Sequence, residues 1–192
     1  MAEVLLYHHI QGLTDGVRAF ADELRGDGHT VHVPDLFDGH TFDRIDDGFA
    51  FAREAGFDAI RERGRAAADG LGPALVYAGF SFGVTIAQAL AQTRPGARGA
   101  LLMYSCLPVS EFGGAWPEGV PVQIHGKEGD EFFDEDLPAA RELVVAAADA
   151  ELFLYPGDQH LFADASLDEY DPEASALLIS RVRAFLAAPA MR

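Results

Sequence analysis

The chain has 192 residues, of which 49% are hydrophobic and 23% charged, a composition typical of a globular protein and not of a disordered one. Acidic residues number 31 against 14 basic ones, and the formal charge of −17 argues against nucleic acid as a partner, because phosphate binding needs clustered positive charge. No run approaches the roughly 20 apolar residues that span a bilayer, and the lone cysteine, Cys106, excludes an intramolecular disulfide. We therefore expect one cytoplasmic domain, residues 1–192, without a membrane partner.

Short apolar runs alternate with longer helical patterns along the chain, which is typical of a parallel sheet covered by helices on both faces. The predicted strands are 4–9, 30–34, 74–80, 100–105, 120–125 and 151–155, mostly continuous runs as expected of strands buried on both faces. The predicted helices are 16–25, 44–68, 82–92, 137–148 and 173–187, the second made irregular by two glycines. The sequence therefore predicts an α/β fold with about six strands.

Two connections, 35–44 and 106–119, are longer than the others and follow the carboxyl ends of predicted strands. Ligands of open parallel sheets bind beyond these ends, so both loops are candidates to wall a pocket. The loop 106–119 and the segment 44–68 are alternative candidates for a lid.

A nucleophile turn is predicted directly after the third strand, where the sequence GFSFG fits the pattern G-x-S-x-G. A serine on such a turn has a strained backbone and needs small neighbours two residues away, which Gly79 and Gly83 supply. The pattern alone is weak, and a purely structural turn is the alternative. Its position between a buried strand and a helix makes Ser81 the predicted nucleophile, with the backbone N–H of Phe82 as an oxyanion donor.

The base that activates the serine is predicted to be His160. For a nucleophile of this kind the triad follows the order Ser, Asp or Glu, His, so only His125 and His160 qualify. His125 falls at the end of a strand, where a packed histidine is the more common outcome, whereas His160 lies in a turn-rich segment past the last strand. The other five histidines show no recognised zinc-ligand spacing, so no metal is expected.

The carboxylate that orients the histidine is predicted to be Asp130, which follows the fifth strand through a short turn. This position is on the same rim of the sheet as the serine and the histidine. Its rivals Glu128, Asp134 and Asp136 are expected to face solvent. Asp158 is too close to the histidine in sequence to reach its far ring nitrogen comfortably.

Four segments together resemble the dienelactone hydrolase family of α/β-hydrolases: GFSFG, HGKEGDEFF, YPGDQHLF and DPEASALLISRVRAFL. The resemblance covers nearly the whole chain. It implies an α/β-hydrolase fold, here trimmed of the family's extra N-terminal strands, and cleavage of lactones or related esters without a cofactor. It also implies that the backbone N–H of Ile10, in the loop after the first strand, is the second oxyanion donor.

Three residues depart from the family's pattern. Ser81 replaces the usual cysteine nucleophile, and His9 replaces a glutamate that interacts with that cysteine. Asp164 stands where an arginine commonly helps to hold a substrate carboxylate. An aspartate beside the substrate would repel such a group, so the substrate is predicted to be uncharged.

The leading functional hypothesis is a carboxymethylenebutenolidase-like serine hydrolase that cleaves a small carboxylic ester or lactone through an acyl-serine intermediate. An acyl-thioesterase would use the same residues, and a non-catalytic ligand-binding homologue of the same fold is the alternative from another class. Aromatic side chains are candidates for the substrate pocket, although residues of this type are as often part of the core: Phe49, Phe51, Trp116, Phe133 and Phe162.

Overall fold

The fold is built on one sheet of six parallel strands, seen in a computed structural model that describes residues 1–188 and 191. The strands are β1 (Glu3–Tyr7), β2 (Thr30–His32), β3 (Val76–Phe80), β4 (Gly99–Met103), β5 (Val122–Lys127) and β6 (Ala150–Tyr155). Their order is β2-β1-β3-β4-β5-β6. The order reverses between β1 and β3, so the loops that leave these two strands diverge there and open a crevice at the carboxyl edge.

Six helices cover both faces of the sheet: α1 (Asp15–Gly26), α2 (Ile45–Ala55), α3 (Phe57–Ala66), α4 (Val84–Thr93), α5 (Glu131–Ala146) and α6 (Pro172–Ala187). Apolar residues of α1 and α6 share one core cluster, and those of the other four helices share the second. The predicted α/β-hydrolase architecture is therefore confirmed. Within the described residues, none of these helices combines the length and hydropathy that a membrane span requires.

The strands are apolar at consecutive positions because both of their faces are buried. In β1, Val4 and Leu6 join the cluster of α1 and α6, while Leu5 and Tyr7 join the opposite cluster. All four side chains are at most 1% exposed. This explains why the sequence shows continuous apolar runs instead of alternation.

Two helices differ from their predicted extents. The predicted helix 44–68 is two helices, α2 and α3, separated at Gly56, whose φ of +88° a helix cannot continue through. Helix α5 begins at Glu131 and not at residue 137, because the Asp130 side chain caps it by accepting the backbone N–H of Phe132. Pro138, which favours a helix start when read in sequence, lies inside this helix.

Candidate active site

The turn after β3 places Ser81 in a strained conformation at the carboxyl edge of the sheet. Its φ is +49°, in the left-handed region that costs a residue with a side chain roughly 1–3 kcal/mol. A short 3-10 turn, Ser81–Gly83, then leads directly into α4. The turn requires its two glycines, because a Cβ on Gly79 would lie 2.5 Å from the carbonyl carbon of Gly83, and a Cβ on Gly83 would lie 2.5 Å from the carbonyl oxygen of Tyr7.

The three predicted triad residues meet at this edge. Ser81 Oγ lies 2.7 Å from His160 Nε2, and His160 Nδ1 lies 2.6 Å from Asp130 Oδ2. A carboxylate only accepts hydrogen bonds, so Nδ1 donates and Nε2 is left to accept the serine proton. His160 and Asp130 are 6% and 1% exposed, which shields their contact from water.

Asp130 also caps helix α5. Its Oδ1 accepts the backbone N–H of Phe132 at 3.0 Å, while its Oδ2 faces His160. The helix cap fixes the carboxylate in the orientation that the histidine needs. Among the rival carboxylates, Glu128 and Asp134 are exposed as predicted.

His125 is a core residue and lies away from the nucleophile. Its ring stacks on that of Phe153 with 5.3 Å between ring centroids, and its Nδ1 lies 2.8 Å from the hydroxyl oxygen of Tyr155. Burial, and secondarily the charge of Arg181, lowers the pKa of His125 to about 3. A histidine that stays neutral inside the sheet is consistent with the packing role predicted for it.

The loop after β1 runs beside the nucleophile turn, because β1 and β3 are paired in parallel with Tyr7 opposite Gly79. The backbone N–H of Ile10 in this loop has no hydrogen-bond acceptor among residues 1–188 and 191, although the residue is only 2% exposed. A buried N–H without a partner is costly unless a ligand uses it. Ile10 and Phe82 therefore lie on the two neighbouring turns where oxyanion donors were predicted.

A cavity of about 330 Å³ lies over Ser81 and His160. One wall comes from α2 and α3, which contribute Phe49, Phe57 and Arg61, so the segment 44–68 covers the site. No residue of the loops 35–44 or 106–119 is among the described residues that line it, contrary to the prediction for these loops.

The model of the dienelactone hydrolase family matches residues 2–189. This chain belongs to the dienelactone hydrolase family. No curated protein matches it. Membership identifies the chain as a hydrolase of the ester and lactone class.

Solved structures of two dienelactone hydrolase-like proteins and of a thioesterase domain share the fold. A dienelactone hydrolase from Anabaena variabilis is 16% identical with a TM-score of 0.68, over 97% of this chain and 85% of that one. A dienelactone hydrolase-like promiscuous phosphotriesterase from metagenomic libraries is 17% identical with a TM-score of 0.71, over 97% and 86%. The thioesterase domain from the curacin biosynthetic pathway is 15% identical with a TM-score of 0.63, over 95% and 90%.

Only one of the aromatic residues predicted for the pocket of this dienelactone hydrolase family member is among the described residues that line the cavity. Phe49 lines the cavity, but Trp116, Phe133 and Phe162 do not. Phe51 also lies outside the lining, in a cluster of aromatic rings where its ring centroid is 5.1 Å from that of Phe37. The prediction was wrong for these four residues, because the position of an aromatic residue in the sequence does not tell whether its side chain faces the core or a pocket.

The packing partners of the misassigned aromatics explain their positions. The indole N–H of Trp116 donates to the carbonyl of Val120 at 2.6 Å. Phe133 packs directly over Gly126, where a Cβ would lie 2.2 Å from the ring. Phe162 is fully buried, with its ring centroid 4.9 Å from that of Tyr104.

The cavity residues that sequence reasoning missed lie on three helices and on the segment after β4. Helix α5 contributes Phe132, Glu135 and Asp136, and further lining comes from Phe57, Arg61, Thr85, Tyr104 and Ser105. The first three are spaced i, i+3, i+4 and so share one face of a helix. Had the helix been predicted to start at the Asp130 cap, this spacing would have pointed to them.

Asp136 is half-buried at the cavity wall, which corrects the prediction that it faces solvent. Its Oδ2 accepts the hydroxyl of Ser105 at 2.6 Å and the backbone N–H of Cys106 at 3.1 Å. Burial raises its pKa, and the bonds from Ser105 and Cys106 oppose that rise. The wall beside the serine therefore carries a carboxyl group.

Asp164 does not face the substrate cavity, contrary to the prediction. It is 4% exposed and lies beneath the His160 loop, where it accepts hydrogen bonds from His9 and Thr14. Helix α1 makes room for it at Gly16, since a Cβ there would lie 1.7 Å from Asp164 Oδ1. The carboxylate is thus part of the core and cannot repel a substrate directly.

Lys127, the only lysine of the chain, is buried beside the segment that carries His160. Its ammonium group donates to Asp171 Oδ2 at 2.6 Å and to the side chain of Gln159, and lies 5.2 Å from the centre of the Phe162 ring. Asp171 also caps α6. The cation therefore ties the residue before His160 to the start of the last helix.

Proposed function

We propose that this chain cleaves a small, uncharged carboxylic ester or lactone through an acyl-serine intermediate. The observation that carries the proposal is the continuous chain of hydrogen bonds from Ser81 through His160 to Asp130, at 2.7 and 2.6 Å, under a cavity of about 330 Å³. Such a chain gives a serine hydroxyl the base that it needs for attack.

The reaction follows from this geometry in two halves. His160 Nε2 takes the proton of the Ser81 hydroxyl as Oγ attacks the carbonyl carbon, and the oxyanion that forms is stabilised by the N–H groups of Ile10 and Phe82. The tetrahedral intermediate then collapses, the bond to the alcohol oxygen breaks, and His160 returns the proton to that oxygen. Water, deprotonated by the same histidine, then attacks the acyl carbon. The bond to Ser81 Oγ breaks, the acid is released, and His160 returns the proton to the serine.

Cys106 cannot replace the cysteine that commonly serves as nucleophile in this family. Its side chain is fully buried, and burial together with the charge of Asp136 raises the pKa of its thiol to about 12. The thiolate, which is the reactive form of cysteine, is therefore not populated at neutral pH. We also propose a cytoplasmic location, because a lone cysteine cannot form the intramolecular disulfides that are typical of oxidising compartments.

The charge of the cavity supports an uncharged substrate, although Asp164 itself lies outside the cavity. Glu135 and Asp136 line one wall, whereas Arg61 on the other is the only cation among the described lining residues. Arg61 is already paired with Asp58 at 3.0 Å. A substrate carboxylate would meet a net negative surface, which disfavours it over a neutral analogue.

The decisive experiment is the variant Ser81→Ala, which we expect to lower kcat for p-nitrophenyl acetate by roughly 10³-fold or more while leaving the thermal transition in place. A fluorophosphonate should label the unmodified protein at Ser81 and fail to label the variant. Cys106→Ser is the matched control and should keep turnover. Labelling of neither protein, with no turnover of ester, lactone or thioester, would favour a non-catalytic binding protein.

A further inference from the structure

Two loops of the active site are joined by a buried pair of side chains that the reaction itself does not use. His9 immediately precedes Ile10 in the loop after β1, and Asp164 follows His160 by four residues. His9 Nε2 lies 2.8 Å from Asp164 Oδ2, and the two side chains are 1% and 3% exposed. The contact therefore links the proposed oxyanion loop to the loop of the catalytic histidine.

The proton positions in this pair follow from its neighbours. The backbone N–H of Gln11 donates to His9 Nδ1 at 3.2 Å, so this nitrogen is an acceptor. A neutral imidazole with an acceptor at Nδ1 carries its proton on Nε2, which then donates to Asp164. The His9 ring therefore bridges the Asp164 carboxylate and the backbone N–H of Gln11. Because His9 precedes Ile10 and Gln11 follows it, the ring holds the loop on both sides of Ile10.

Asp164 is held as a carboxylate by further donors. The hydroxyl of Thr14 donates to Oδ2, and Ser166 donates to Oδ1 through its backbone N–H at 2.9 Å and its hydroxyl at 2.6 Å. Burial alone would raise the pKa of Asp164, but the bonds from His9, Ser166 and Thr14 together lower it to about 2. The acceptor for His9 is thus charged and fixed at neutral pH.

The carbonyl groups of this loop are held in place by hydrogen bonds and close packing. The carbonyl of His9 accepts from the backbone N–H of Gly12 at 3.1 Å, and the carbonyl of Gln11 accepts from Phe42 at 3.0 Å. The carbonyl of Ile10 is approached so closely by α2 that a Cβ on Gly48 would lie 2.1 Å from it. Among the described residues, the buried N–H of Ile10 has no acceptor, so it is available to a ligand.

We propose that His9 and Asp164 are positioning residues that hold the Ile10 N–H in place as an oxyanion donor and couple its loop to that of His160. This inference rests on the proposed acyl-serine function. Neither side chain touches the reacting atoms. Both act through the backbone of Ile10, so their loss weakens stabilisation of the transition state more than it weakens substrate binding.

The test compares Asp164→Asn, His9→Gln and the double variant, with p-nitrophenyl acetate as substrate. Each single change should lower kcat by roughly 10- to 100-fold and change KM by less than about threefold. The Ki of phenylboronic acid, which forms a tetrahedral adduct with the serine, should rise by a similar factor. Because the two residues act as a unit, the double variant should lose no more than about twofold beyond the worse single variant.

His125→Gln is the matched control, because it removes another buried histidine that lies on β5 away from the cavity. It should lower the melting temperature and keep kcat. An equal loss of kcat in this control would overturn the proposal by showing that activity follows stability alone. A kcat within twofold of the unmodified enzyme for both His9→Gln and Asp164→Asn would also overturn it. If the unmodified protein neither turns over esters nor labels at Ser81, it is the acyl-serine function that fails.

Discussion

At the scale of single residues, Asp130 performs two functions with one carboxylate. Asn keeps the oxygen that caps α5 but offers an amide where His160 Nδ1 needs an acceptor, which favours the wrong tautomer of the ring. We therefore expect Asp130→Asn to lower kcat by roughly 10³- to 10⁴-fold with little change in melting temperature. Steady-state kinetics on p-nitrophenyl acetate and a thermal melt measure the two effects separately.

Asp134→Asn is the control for this prediction, because Asp134 lies one turn further along the same helix and is exposed. It should leave kcat within about twofold. A loss as large as that of Asp130→Asn would show that the carboxylate has been assigned to the wrong residue.

Asp136 allows the proposed preference for uncharged substrates to be tested. Its replacement by Asn removes a negative charge from the cavity wall and keeps the shape of the side chain. Asp136→Asn should therefore raise kcat/KM for a carboxylated ester relative to its neutral analogue by roughly two- to fivefold at low salt. Glu142→Gln removes the same charge from an exposed position on α5 outside the lining and should leave the ratio unchanged. A preference of the unmodified enzyme for the carboxylated ester would contradict the proposal.

At the scale of elements, the junction of β3 and α4 depends on glycines with no space for a side chain. A Cβ on Gly79 would meet backbone atoms of Gly83 and Val84 at 2.5 to 2.6 Å, and backbone cannot rotate away. Gly79→Ala should therefore lower the free energy of unfolding by roughly 2 kcal/mol or more and abolish activity. Chemical denaturation measures the first effect. Gly70→Ala, where nothing lies within 4 Å of the added Cβ, should be nearly neutral, and equal stability of the two variants would contradict this account.

What could be predicted from sequence rested on local patterns and on the chain order that serine triads of this kind follow. The nucleophile turn around Ser81 and the six buried strands are encoded by neighbouring residues, so both were found. The start of α5 was missed because Pro138 suggests a first turn, while the cap by Asp130 depends on a side chain that also serves the histidine. Asp164 was misplaced because its partner His9 is 155 positions away in sequence. Contacts of that range are decided by packing and leave no local pattern.

At the scale of the whole molecule, two buried histidines link stability to pH. Burial lowers the pKa of His8 to about 4 and that of His125 to about 3, against an ordinary value of 6.5. Below pH 6.5 the unfolded chain therefore binds protons that the folded chain does not, and stability falls as pH falls. Between pH 6 and 4.5 the loss should approach about 1.4 kcal/mol per pH unit for each histidine.

Urea denaturation at a series of pH values measures this slope. His125→Gln should reduce this slope by the contribution of one histidine, about 1.4 kcal/mol per pH unit. A slope identical in the variant and in the unmodified protein would mean that other groups control acid unfolding.

Lys127 has a practical consequence for the chemistry of the molecular surface. The only lysine is 1% exposed, and its ammonium group is held by Asp171 and Gln159. A reagent that attacks the amino groups of lysine therefore cannot reach this side chain while the fold is intact. Covalent modification of Lys127 would report that the segment around His160 has opened.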